Sequence, residues 1–275
     1  MRTTLRRLSF GLQTLLGRPM GFFSPYRYAG SIRTAAYPEL ENRFEVAGPA
    51  MEVLLARIET HAATLASLQG PTPEPRFAQS WFPRLDAAAA YTLLREDPPA
   101  RVIEVGSGHS TRFLARAIRD ASRDPAGIIT CIDPAPRAAL DALPVTWLRE
   151  VLGPQHLALF LGLGRGDVAL FDSSHLLWPG SDVDLILNRI LPSLAPGVRI
   201  HLHDILLPDP YPAAWAWRGY TEQLGLGGWL MGGGAEILWS SHYARTRLEA
   251  SNRPGIAQLP LPDGAPETSL WLVRR

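Results

Sequence analysis

From residue 101 onward, short apolar runs alternate with segments of helical periodicity. That alternation constrains the fold more than any other feature of the chain. Arg101-Val-Ile-Glu-Val105, Ile128-Ile-Thr-Cys-Ile-Asp133, Val145-Thr-Trp-Leu148, Asp167-Val-Ala-Leu-Phe-Asp172 and Gly197-Val-Arg-Ile-His-Leu-His203 read as strands. Helices are expected between them over Thr111–Asp120 and Val183–Leu194, with a longer helical region over 212–231. Ala235-Glu-Ile-Leu-Trp239 and Ser269-Leu-Trp-Leu-Val273 complete seven strand candidates. Strands alternating with helices predict a mainly parallel sheet wound on both faces. The last two strands are joined by about 25 irregular residues, so one of them is expected to run antiparallel.

The first hundred residues read differently. Leu40, Phe44 and Val46 lead into Met51, Leu54, Leu55, Ile58, Ala62, Leu65 and Leu68, a helical stripe over 38–69. Gly70-Pro-Thr-Pro-Glu-Pro75 ends it as a stiff linker, and a second, Ala-rich helix over 83–96 closes at Asp97-Pro-Pro99. The expected division is an N-terminal helical extension with linker over 1–75 and an α/β domain over 76–275. The N-terminal Arg2–Leu16 segment is basic and loosely amphipathic. Gly11 and Gln13 break its apolar stretch, so it fails as a secretory signal. Attachment to a membrane surface is one reading of it, and a docking helix or tail is the other. No apolar run approaches the ~18–20 residues of a membrane span, and a cytoplasmic location is expected.

Composition removes whole chemistries. The chain has no lysine, and all 27 of its Lys/Arg cations are arginine. Neither a Schiff base nor the phosphate-binding lysine of a P-loop NTPase or a protein kinase can therefore form. The single Cys131 excludes an internal disulfide framework and any multi-cysteine zinc site. A formal charge of +1 offers nothing to a polyanion, and no nucleic-acid partner is expected.

The sharpest local signal is the turn after the first strand, Ile103-Glu-Val-Gly-Ser-Gly-His-Ser-Thr111. Gly106 and Gly108 let the backbone turn tightly and approach a ligand, and the helix that follows presents free N–H groups. A dinucleotide site prefers a third glycine where Thr111 stands. Glu104 is also unusual for such a site: it either holds the turn or pairs with a cationic ligand. Asp133 ends the second strand, where a carboxylate can accept both hydroxyls of a ribose. A purely structural tight turn is the alternative.

Val102-Ile-Glu-Val-Gly-Ser-Gly-His-Ser-Thr111 resembles the first motif of class I S-adenosylmethionine-dependent methyltransferases, and Cys131-Ile-Asp133 resembles their ribose-binding acid. The resemblance spans roughly residues 76–275. It implies a doubly wound, mostly parallel seven-stranded sheet with one reversed strand, and S-adenosylmethionine as cofactor. Gly106 and Gly108 would line the methionine part, Glu104 would organise the loop, and Asp133 would hold the ribose. Ser107, Ser110 and Thr111 fall in the same cofactor loop.

A second polar cluster follows strands four and five: Asp172-Ser-Ser-His175 and His201-Leu-His203-Asp204. Neighbouring parallel strands converge at their carboxyl ends, so Asp172, His203 and Asp204 are expected to meet. They can hold a divalent cation, which would lower the pKa of a substrate hydroxyl, or act without metal as a hydrogen-bonded Asp–His pair. The arrangement resembles metal-dependent O-methyltransferases of the catechol and cephalosporin-hydroxylase-like type. His203 departs from that pattern, standing where an oxygen ligand is usual, which favours a softer ion than magnesium or none. His175 lies where the catechol type places a lysine base. It reads as a general base or as a cap of the loop. His201 reads as a core histidine, and His109 either stacks on the cofactor or faces solvent. Phe22-Phe-Ser-Pro-Tyr-Arg-Tyr28, Trp81-Phe82 and 209–223 with Tyr220, Glu222 and Gln223 either shape an acceptor pocket or pack. The expected activity is methyl transfer to a hydroxyl of a small molecule. A nicotinamide-dependent oxidoreductase and a non-catalytic S-adenosylmethionine-binding module are the alternatives.

Overall fold

The structure is a computed structural model that describes residues 2–18, 20 and 26–275. Its chain forms two compact units, Met1–Ala35 and Ala36–Arg275. In the first, α1 covers Arg2–Leu15 and a single 3-10 turn covers Ala29–Ser31. The expected aromatic segment Phe22-Phe-Ser-Pro25 lies outside the described residues.

The second unit holds one sheet: β1 (Val102–Val105), β2 (Ile129–Ile132), β3 (Thr146–Leu148), β4 (Val168–Phe171), β5 (Arg199–Leu202), β6 (Ala235–Ser240) and β7 (Leu270–Arg274). Its order is β3-β2-β1-β4-β5-β7-β6. The first five strands are parallel, and β7 runs antiparallel to both β5 and β6. This is the doubly wound sheet with one reversed strand that the alternating pattern predicts. Val102, Ile103 and Val105 are β-branched and every residue of β1 is buried, as a strand covered on both faces requires.

The helices flank the sheet in chain order. Before it come α2 (Pro38–Thr60), α3 (Ala62–Ser67) and α4 (Arg84–Glu96). Among the strands lie α5 (His109–Asp120), α6 (Leu157–Leu161), α7 (Asp182–Leu185), α8 (Leu191–Ser193), α9 (Glu222–Met231), α10 (Ser241–Arg247) and α11 (Pro254–Ala257). Pro38 opens α2 where its missing N–H costs nothing, and Glu39 and Glu41 complement the positive end of the helix. Leu40, Phe44, Met51, Leu54, Leu55 and Ile58 are its buried stripe, each contributing about 1.5–3 kcal/mol by leaving water. Val46, placed on that face by the spacing, is instead 84% exposed. The expected 38–69 helix is two helices, interrupted at His61. Ala87–Ala90 are fully buried, and their small side chains let α4 pack closely on α5.

Two further differences have local causes. A π-helical turn, Ile186–Ile190, joins α7 to α8 inside the expected Val183–Leu194 helix. The β6–β7 connection is irregular only in part, carrying α10, a 3-10 turn over Ala250–Asn252 and α11 ahead of residues 258–269. Ser240 accepts the Tyr243 N–H at 3.1 Å and starts α10, and the Tyr243 ring seats against Phe44, centroids 5.6 Å apart.

Candidate functional site

The site forms where the parallel strands end. Hydrogen bonds continue one step past each strand: Gly106 N–H to Ile132 O (3.1 Å), Asp133 N–H to Leu148 O (3.0 Å), Asp172 N–H to Val105 O (2.8 Å) and His203 N–H to Phe171 O (2.9 Å). Gly106, Asp133, Asp172 and His203 therefore stand in one row along the carboxyl edge, where open α/β sheets bind ligands. A cleft of about 280 Å3 opens there, lined by Gly106, Ser107, Asp133, Ala135, Arg137, Val151, Leu152 and Asp172, among others.

Gly106 is the pivot. Its φ is +75°, and a Cβ at this position would sit 1.8 Å from the carbonyl oxygen of Asp172. Only glycine brings the turn that close to the end of β4. Beyond it, Ser107 donates its N–H (2.6 Å) and its hydroxyl (3.0 Å) to Asp133 Oδ2, while Asp133 Oδ1 accepts the Ala135 N–H (2.8 Å). These bonds fix the Asp133 carboxylate at the cleft wall; Oδ2 is filled by the two Ser107 bonds, and Oδ1 keeps a lone pair for a ligand hydroxyl.

Glu104 sits behind the turn with no exposure. Its carboxylate accepts the Ser110 hydroxyl at 2.6 Å and the Thr111 hydroxyl at 2.7 Å, and it lies 3.4 Å from Cys131 Sγ. Thr111 Oγ1 in turn accepts the Gly108 N–H at 2.9 Å. Of the two roles open to Glu104, this is the holding of the turn. Burial pushes its pKa up to about 7 against the pull of those hydroxyls. Ser110 and Thr111, expected on the cofactor, spend their hydroxyls on Glu104, and neither they, Glu104 nor Gly108 lines the cleft.

The second cluster assembles as expected in position but not in chemistry. His203 Nδ1 lies 3.6 Å from Asp172 Oδ1 and 3.7 Å from Asp204 Oδ1, so the three residues do meet. His175 joins them, its Nε2 at 3.2 Å from Asp172 Oδ1 and its Nδ1 at 2.8 Å from Glu222 Oε2. Burial pulls the His175 pKa down, but the Asp172 and Glu222 carboxylates outweigh it and push it up to about 10. His203 is likewise held well above its usual range, burial being overcome first by the Asp172 charge. Burial raises Asp172, yet the charge of His203 and hydrogen bonds from both histidines hold it well below the carboxylate range.

Three expectations change on this geometry. Both ring nitrogens of His175 face carboxylates, an arrangement that favours the imidazolium over a proton-accepting base. The divalent ion expected on Asp172, His203 and Asp204 does not fit these residues. His203 Nε2 is taken up by Asp86 at 3.2 Å, its Nδ1 stands 3.6 and 3.7 Å from Asp172 and Asp204, and Asp204 Oδ2 already accepts from the Arg218 guanidinium at 3.2 Å. Among the described residues no group of three or more His, Cys, Asp or Glu side chains is arranged to hold a metal ion. Finally, Gln223 serves the backbone, accepting the Leu206 N–H and donating to Asp209 O, and Phe82 is a core residue against His201 and His203.

His201 is the core histidine expected, bonded to Ser269 Oγ at 2.7 Å, with burial and the His203 charge taking its pKa down to about 3. His109 neighbours Trp81, ring centroids 6.4 Å apart, and burial with Arg112 and Arg76 takes its pKa down to about 4. The Tyr220 ring lies tilted against that of His175, centroids 4.6 Å apart, and Arg218 lies over the Trp215 ring at 4.1 Å. Two partners escaped the sequence reading. Asp86, fully buried in α4, takes the N–H groups of Thr268 and Ser269 and lies 3.2 Å from His203 Nε2. Arg218 neutralises Asp204. An aspartate inside an otherwise Ala-rich buried helix is the one signal that pointed to Asp86.

Residues 103–205 match the family model for a methyltransferase domain. No curated protein matches the chain. Among solved structures, the chain is similar to the SAH-bound Podospora anserina methyltransferase PaMTH1, at 17% identity over 93% of this chain and 99% of that one, with a TM-score of 0.43. It is also similar to a candidate methyltransferase of Thermobifida fusca YX, at 13% identity over 70% of this chain and 83% of that one, with a TM-score of 0.40.

Proposed function

We propose that this chain is an S-adenosylmethionine-dependent methyltransferase and that it methylates a hydroxyl of a small molecule without a resident metal. The observation that carries the reading is the row of Gly106, Asp133 and Asp172 along one cleft, with an ion-paired cluster against its end. Asp133 faces that cleft with spare acceptor capacity, and Val151 and Leu152 supply apolar wall beside it. An acid beside apolar wall suits a ribose carrying a flat base.

S-adenosylmethionine, when bound, supplies an electrophilic methyl group on a sulfonium. The residues supply alignment, which is the larger part of the rate in such a displacement. Asp172 lines the cleft with a side chain 36% exposed, and its carboxylate is ionised. It accepts the hydrogen bond of the acceptor hydroxyl and aims a lone pair of that oxygen at the methyl carbon. Asp172 stays ionised throughout, because the paired histidines hold it below the carboxylate range, so it orients the hydroxyl and the proton that oxygen gives up on methylation would pass to solvent. His175, His203 and Arg218 hold the carboxylates of Asp172 and Asp204 in place, and Glu222 holds His175 from behind.

Incubation of chelator-treated protein with S-adenosylmethionine and a panel of phenols, sugars and aliphatic alcohols tests this. The expected product is an O-methyl ether, located by mass spectrometry, with stoichiometric S-adenosylhomocysteine. Methyl transfer confined to nitrogen or carbon acceptors, or activity restored only by an added metal, would overturn it.

A further inference from the structure

We infer that α1 docks the protein on anionic lipid bilayers, lying in the plane of the surface. Leu5, Leu8, Leu12, Leu15 and Leu16 are 59–75% exposed. At helical spacing they fall within an arc of about 100°, the width of an apolar face that seeks a partner. Arg6 and Arg7 stand outside that arc, with Arg6 folded over the Phe10 ring at 5.2 Å. At 14 residues, α1 is about 21 Å long, short of the ~30 Å hydrocarbon core, and no helix among the described residues is long and apolar enough to cross a membrane. A helix of this length with Gly11 inside it is marginal in water, so burying its leucines is what would hold it.

Charge selects the occupant. Residues 1–38 contain six arginines (2, 6, 7, 18, 27 and 33) and no acid. That leaves 21 cations against 26 anions on residues 39–275, so a +6 arm is joined to a −5 body within a chain of formal charge +1. An apolar stripe flanked by arginine suits a surface that offers acyl chains and negative headgroups together. By net charge the same surface attracts the arm and not the body.

Full-length protein is co-sedimented with vesicles of phosphatidylcholine alone and of phosphatidylcholine containing phosphatidylglycerol. Binding is expected to the anionic vesicles and to weaken with added salt. The Arg6→Gln/Arg7→Gln variant loses about fivefold in partitioning per arginine. The Leu8→Glu/Leu12→Glu variant loses binding altogether while its affinity for S-adenosylhomocysteine stays at the wild-type value, which shows that the body is folded. Equal binding to both vesicle types, binding to neither, or binding untouched by the leucine changes overturns the inference. So does concentration-dependent self-association abolished by the same leucine changes, since a second copy would then cover the face.

Discussion

Replacing Gly106 by alanine tests the turn on which the cleft depends. The added Cβ would stand 1.8 Å from Asp172 O, whereas carbon and oxygen need roughly 3.3 Å, so the turn or the end of β4 must shift by about 1.5 Å. A left-handed backbone costs a non-glycine residue a further ~1–2 kcal/mol. Gly127 separates the two effects, because its φ is also +75° but nothing lies within 4 Å of its Cβ position. Gly127→Ala carries the backbone cost alone, about 1–2 kcal/mol. Gly106→Ala adds the displacement, which cannot coexist with the 2.6 Å bond from Ser107 N–H to Asp133. Losing a bond to a charged group costs about 1.5–3 kcal/mol, so Gly106→Ala is expected to lie about 3 kcal/mol below the control. For a chain of this size that is a further ~6–12 °C in Tm. Affinity for S-adenosylhomocysteine, read by calorimetric titration, falls about 100-fold in Gly106→Ala and stays unchanged in Gly127→Ala. Equal Tm and equal affinity for the two variants would refute the reasoning.

Asp133→Ala removes the charge-assisted acceptor for a ribose hydroxyl together with both Ser107 bonds and weakens S-adenosylhomocysteine binding by about 10- to 100-fold, whereas a change within threefold contradicts the ribose assignment. Glu104 has a folded pKa of about 7 against 4.5 for the free side chain, so burial penalises its ionised form. Stability linked to it is fully present below pH 4.5 and is lost as pH rises through 7, by roughly 3 kcal/mol. Glu104→Gln flattens that decline in denaturant titrations between pH 5 and 8, and an unchanged slope contradicts the assignment. Glu222→Gln weakens the grip on His175 and lowers kcat about 10- to 100-fold with S-adenosylhomocysteine affinity unchanged. An equal loss in cofactor affinity would place Glu222 in the fold rather than behind the acceptor.

The sheet is legible because burial on both faces demands short, mainly apolar runs: β4 is unbroken, and β1, β2 and β5 are interrupted only by Glu104, by Thr130, and by Arg199 with His201. The glycine turn is legible because Gly106 answers a steric demand that no other residue meets. Ser110 and Thr111 show where this reading stops. Their position in the loop is plain from spacing, but the direction of each hydroxyl is decided by the buried Glu104, six and seven residues earlier. The metal reading stops for a related reason. Asp172, His203 and Asp204 converge as strand order requires, yet the other ring nitrogen of His203 is taken up by Asp86, which reaches it from α4, 117 residues earlier in the chain. Arg218 reaches Asp204 from beyond a proline-rich turn that no periodicity marks.

Calorimetric titration of the wild-type protein with S-adenosylhomocysteine, with NAD+ in a parallel titration, bears most directly on the central claim. A single site at about micromolar affinity for S-adenosylhomocysteine, no heat with NAD+, and loss of the first signal in Asp133→Ala is the predicted result. No binding of S-adenosylhomocysteine, or preferential binding of the nicotinamide cofactor, would contradict the account.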